Sequence, residues 1–213
     1  MDVAAKVDIY DGNDAPQFAW LFVGDSITAN GMSHSEISGL AGDSFGNQVE
    51  KISGRVPVQE NAGMPGWLSG DAKAHLPIWL ATFPGRYVTL NFGTNDGAGV
   101  DPQVFYANMS SLAEQTIARG KVPVVPLIPW ASRPDLLKSI PALNAEIRRL
   151  LASQRCAIAG PDLYAYFKTH PELISNDGVH PSDAGYAELR KLWAQFAANI
   201  PNRPSGCMNP VAQ

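Results

Sequence analysis

The sequence predicts an α/β protein: a parallel sheet with helices on both faces. Two observations carry this. Short apolar runs alternate with helical segments about five times along the chain, the pattern of successive βαβ units. Small polar motifs follow the apolar runs one after another, as expected where a parallel sheet gathers its functional loops beyond the carboxyl ends of its strands. The length of 213 residues fits one domain, at roughly 100–200 residues per domain.

The elements follow in order. Residues 18–23 are wholly apolar and read as a buried strand ending at Gly24. Residues 45–52 form a short helix, and residues 56–59 a second strand that stops at Asn61-Ala62-Gly63. A weak helix over 71–80 is interrupted by Pro77. Residues 87–92 make a third strand ending at Gly93. Residues 102–119 make a stronger helix, with Phe105, Met109, Leu112 and Thr116 on one face and Gly120 closing it. The fourth strand covers 122–128 despite Pro123 and Pro126, and a helix over 141–152 places Leu143, Ile147, Leu150 and Leu151 on its apolar side. A short fifth strand covers 156–159. Ser182 caps the last helix, where Leu189, Leu192, Trp193, Phe196 and Ile200 keep the helical period. Residues 1–201 thus form one domain, and the Pro-, Asn- and Gly-rich residues 202–213 a tail or linker stub.

Composition narrows the function. Hydrophobic residues are 45% and charged residues 17% of the chain, with 16 Lys+Arg against 20 Asp+Glu and a net charge of -4. That balance argues against a nucleic-acid-binding face. No apolar run approaches the ~18 residues of a membrane span. Residues 1–17 carry four aspartates, a lysine and no apolar core, so no signal peptide is read there. The low charge and the 19 Gly and 17 Pro suit a secreted or periplasmic protein; the alternative is cytoplasmic. Cys156 and Cys207 lack a C-x-x-C spacing, and no metal cluster or cofactor motif is present. The two cysteines are either free thiols or a disulfide holding the tail to the body in an oxidising compartment. Oligomeric state is open.

The chemistry-bearing residues sit at strand ends. Ser26, after Gly24-Asp25, is at a strand-to-helix turn and fits two roles, a helix cap or an exposed nucleophile near a helix N-terminus. The G-x-S-x-G elbow is absent, because Thr28 stands at the second glycine position. Asp177 and His180 are three apart around Gly178. Such a loop either lies solvated or folds the carboxylate onto Nδ1 of the imidazole, leaving Nε2 as a base. His34, His75 and His170 have no aspartate three residues before them to match the Asp177–His180 spacing. Asn95, in Gly93-Thr94-Asn95-Asp96, offers a side-chain amide and Gly63 a backbone N–H, either as turn residues or as donors to an oxyanion. Asp25 and Asp96 read as loop-capping carboxylates.

The four blocks Gly24-Asp25-Ser26-Ile27-Thr28, Asn61-Ala62-Gly63, Gly93-Thr94-Asn95-Asp96 and Asp177-Gly178-Val179-His180-Pro181 together resemble the SGNH hydrolases, also called GDSL esterases/lipases. Ile27 replaces the Leu of the eponymous motif. The resemblance implies a flavodoxin-like three-layer α/β/α sandwich with a five-stranded parallel sheet. It implies Ser26 as nucleophile, His180 as base, Asp177 as its orienting acid, and Ser26 N–H, Gly63 and Asn95 as the oxyanion hole, without metal or cofactor. Members with similar first and last blocks include esterases that deacetylate plant polysaccharides. The expected substrate is therefore a small-molecule or polysaccharide ester with a short, acetyl-like acyl group. Trp67 and Trp130, beyond the second and fourth strands, are expected to line the site or else to pack. Two rival functions remain: a lysophospholipase or acyl thioesterase with the same triad, and a carbohydrate-binding module without catalysis.

Overall fold

The computed structural model describes residues 18–33, 42–83 and 85–200. His34, Cys207 and the expected tail at 202–213 lie outside these residues, as does the pairing of Cys156 with Cys207. Among the described residues the order is β1 (Ala19–Gly24), α1 (Ser26–Gly31), α2 (Phe45–Ser53), β2 (Val58–Gly63), α3 (Ala72–Thr82), β3 (Tyr87–Asn91), α4 (Pro102–Ala118), β4 (Val122–Leu127), α5 (Leu136–Ser153), β5 (Ile158–Asp162), α6 (Leu163–Thr169) and α7 (Asp183–Ala198). The five strands form one sheet in the order β2-β1-β3-β4-β5, and every pairing is parallel.

The strand alternation sorts the core into two layers. Ala19, Leu21 and Val23 of β1, Val88 and Leu90 of β3, and Val125 and Leu127 of β4 pack against α3, α4 and α5. Trp20, Phe22, Tyr87, Val122 and Val124 face the opposite side, where α1, α2, α6 and α7 contribute Ile27, Phe45, Val49, Phe167, Leu189 and Trp193. With helices covering both faces, the inner strands have no wet side, which is why they read as unbroken apolar runs.

Several elements depart from the sequence reading. Asn61-Ala62-Gly63 is the end of β2 rather than a loop after it, with Asn61, Ala62 and Gly63 in register with Phe22, Val23 and Gly24. As an edge strand, β2 is half wet and lacks the apolar signature of the inner strands. Helix α3 runs through Pro77 without a break, because Ala72, Leu76 and Leu80 bury on one face across it. Helix α5 begins at Leu136, five residues before Pro141. There the burial of Leu136 and Ile140 outweighs the lost N–H of Pro141. Strand β5 lies later than expected and contains Gly160 and Pro161, which an edge strand tolerates. Helix α6 was not anticipated; the Asp162 side chain caps it by accepting from Ala165 N–H at 2.8 Å.

Candidate active site

The cap at the start of α1 decides what Ser26 can do. Asp25 is the N-cap, its Oδ1 accepting from Ile27 N–H at 2.9 Å. Ser26 is thereby relieved of the capping role, and its Oγ lies 2.8 Å from His180 Nε2. The residues are 154 apart in sequence, brought together because β1 and the loop before α7 end at the same rim of the sheet.

His180 is placed by a tightly laced loop. Ile174 and Pro181 form an antiparallel bridge, Ser175 N–H donates to His180 O at 2.7 Å, and Ser182 N–H to Leu173 O at 2.7 Å. Gly178 has φ +73°, a left-handed turn that glycine adopts without steric cost. Its carbonyl accepts from Ser132 N–H at 2.8 Å, anchoring the loop to the segment after β4.

Asp177 completes a linear chain of contacts. Its Oδ2 lies 2.6 Å from His180 Nδ1. Its Oδ1 accepts from Ser175 Oγ at 2.8 Å, Val179 N–H at 2.8 Å and His180 N–H at 2.9 Å. Burial pushes this carboxyl up, but the hydrogen bonds from the imidazole and these neighbours outweigh it and hold it well below the usual carboxylate range. A carboxylate at Nδ1 requires that nitrogen to carry the proton, so Nε2 presents its lone pair to the Ser26 hydroxyl.

The other expected donors, Gly63 and Asn95, are each engaged by a protein acceptor. Gly63 packs so tightly on α1 that a Cβ there would sit 2.2 Å from Ala29 N, so only glycine fits. Its N–H donates to Asn61 Oδ1 at 2.9 Å, and Asn61 Nδ2 in turn donates to Ala29 O at 3.0 Å. Asn95 Nδ2 donates to Trp67 O at 3.0 Å. Trp67 is half-buried and stacks with Trp79 and His75 of α3, with ring centroids 5.8 and 4.8 Å away. Trp130 is half-buried against the layer containing Ile27 and Tyr186. His75 and His170 take part in ring packing, His170 on Tyr166.

Two carboxylates near the site are buried. Asp25 is 2% exposed. Burial raises its pKa from 3.8 to about 7, against the lowering effects of the Ile27 N–H bond and of His180. It lines a small cavity of about 20 Å³ with Thr28, Asn91, Thr94 and Trp193. Asp96 is fully buried, and burial likewise raises its carboxyl, opposed by hydrogen bonds from Ser69. Asp25 caps locally as expected, whereas Asp96 does not cap its own loop but holds Ser69 of the loop after β2. The sequence reading does not single out Ser69, which bonds Asp96 from outside any motif, or Ser175, which bonds Asp177 from two residues before it.

A parallel α/β/α sandwich with a serine, a histidine and a carboxylate in a hydrogen-bonded row defines a hydrolase-like rim. The profile of the GDSL-like lipase/acylhydrolase family matches residues 22–188, and the chain belongs to that family. A GDSL lipase of Mycobacterium tuberculosis is 30% identical over 122 residues, covering 51% of this chain and 49% of that protein. The chain thus spans about half the length of the curated relative it matches. Among solved structures, a lipase/acylhydrolase from Enterococcus faecalis superposes with TM-score 0.68 and 21% identity, covering 87% of this chain and 98% of that one. The acetylxylan esterase Axe2 from Geobacillus stearothermophilus has TM-score 0.70 and 17% identity, with coverage of 91% and 100%. These likenesses establish the three-layer fold. Among the described residues, no helix is long and apolar enough to cross a membrane.

Proposed function

We propose that this protein is a serine esterase that removes short acyl groups, acetyl first among them, from carbohydrates. The observation that carries the reading is the unbroken row Ser26 Oγ, His180 Nε2 at 2.8 Å, and His180 Nδ1 to Asp177 Oδ2 at 2.6 Å. In this reading Ser26 Oγ attacks the ester carbonyl carbon as its proton passes to His180 Nε2. The tetrahedral oxyanion takes hydrogen bonds from Ser26 N–H, Gly63 N–H and Asn95 Nδ2, displacing Asn61 Oδ1 from Gly63. Collapse breaks the bond to the leaving oxygen, which takes the proton from His180 and departs as the sugar hydroxyl. Water then repeats the attack on the acyl-serine and releases the acid. Trp67, half-buried beside Asn95, suits a wall for a sugar ring, and Trp130 a second one. The low charge of the chain suits an exported enzyme.

The test pairs a nitrophenyl ester series with acetate release from acetylated xylan. Fast cleavage of the two-carbon ester with acetate release supports the proposal. A rate maximum at eight or more carbons without acetate release favours a lysophospholipase or thioesterase. Ser26→Ala should remove turnover at an intact fold. Xylan binding without turnover by the wild-type chain would instead mark a carbohydrate-binding module.

A further inference from the structure

We infer that Ser69 and Asp96 are positioning residues that aim the Asn95 amide at the reacting carbonyl, an inference that rests on the oxyanion role proposed for Asn95. Two loops meet at the rim, one after β2 and one after β3, and they are laced twice. Asn95 Nδ2 donates to Trp67 O at 3.0 Å. Two residues further on, Ser69 N–H donates to both carboxylate oxygens of Asp96, at 3.2 and 3.1 Å, and Ser69 Oγ donates to Oδ1 at 2.5 Å. Asp96 directly follows Asn95. The path from the Asn95 amide through Trp67, Leu68 and Ser69 to the Asp96 carboxylate and back along the chain is therefore a closed ring.

The ring is backed from outside. Asn108 Nδ2 on α4 donates to Ser69 Oγ at 3.1 Å, and Lys73 Nζ on α3 donates to Asn108 Oδ1 at 2.8 Å. Ser69 and Asp96 are both fully buried, so water does not compete for these bonds. The Asn95 amide nitrogen carries two hydrogens. The Trp67 carbonyl takes one, and that bond sets the direction of the other. The position of Trp67 O in turn depends on Ser69 being held. A donor displaced by about 1 Å can lose on the order of 100-fold in rate, so the lacing controls kcat without touching substrate.

The experiment is a double-mutant cycle on nitrophenyl acetate and its thionoester, in which sulfur replaces the carbonyl oxygen and is a poorer hydrogen-bond acceptor. Asn95→Ala should lower kcat by about 10²–10³ and reduce the preference for the oxoester. Ser69→Ala, which keeps the backbone bond to Asp96, should lower kcat by about 10-fold with KM within twofold, and reduce the oxoester preference in the same direction. The double variant should be no slower than Asn95→Ala alone, since Ser69 acts through Asn95. If Ser69→Ala does not fold, Asp96→Asn is put through the same cycle. Additive losses, or an unchanged oxoester preference in Ser69→Ala, overturn the positioning role while Asn95 stands. Unchanged kcat in Asn95→Ala overturns the oxyanion reading and the inference together. Loss of all turnover in Ser26→Ala with an unimpaired Asn95→Ala leaves the nucleophile intact and removes only the Asn95 branch.

Discussion

At the scale of single residues, the two aspartates beside the Ser26–His180 pair are shifted in opposite directions. Asp177 is half exposed on its side chain yet stays ionised well into acid, because the imidazole and three further donors satisfy it. Asp177→Asn, which favours the wrong tautomer, should lower kcat/KM by about 10⁴, measured on nitrophenyl acetate. Asp25 behaves the other way. Its folded pKa of about 7 stands above its ordinary 3.8, so between those values the folded chain holds more protons than the unfolded one. Stability consequently falls as pH rises through that window and levels off above it. With about 1.4 kcal/mol for each tenfold change in proton affinity, the effect is at most roughly 4 kcal/mol. Asp25→Asn can still accept from Ile27 N–H but has no charge to bury. Urea unfolding should find it more stable than wild type near pH ~8 and equal near pH ~4; equal stability at both would mean that Asp25 ionises freely.

At the scale of elements, caps and edges govern the site more than helix strength does. Ser182 accepts from Gly185 N–H at 3.2 Å and starts α7 two residues after His180. Ser182→Ala should lower stability by about 1 kcal/mol, read from the urea midpoint at unchanged slope. The inner strands and α7 were legible because their apolar periods are strong, and Ser182 was legible as a cap from its place before that period. The motifs that hold Ser26, Asp177 and His180 stand out in the sequence, while their juxtaposition and the cap supplied by Asp25 in place of Ser26 are seen only in the structure. The polar outer residues of edge strand β2 hide its extent in the sequence, and at Pro77 in α3 and Pro141 in α5 burial overrides local preference. The lacing of Ser69 to Asp96 left no trace in the sequence, since it joins two loops 27 residues apart through common residue types.

At the scale of the whole molecule, β1 is the spine shared by both layers. Trp20 at its centre is fully buried and packs against Phe18, Phe22, Phe45, Tyr87, Trp193 and Phe196. Trp20→Ala should cost about 3–5 kcal/mol in urea unfolding, against a total of about 5–15 kcal/mol for a typical domain. A loss under 1 kcal/mol would show that the aromatic layer collapses to fill the gap. The bond between Ser26 and His180 spans 154 positions of the chain. During synthesis, which proceeds from the amino end, the serine leaves the ribosome long before the histidine exists. On the role proposed for the pair, Ser26 has no base beside it until the segment that carries His180 has been made and packed against the rim.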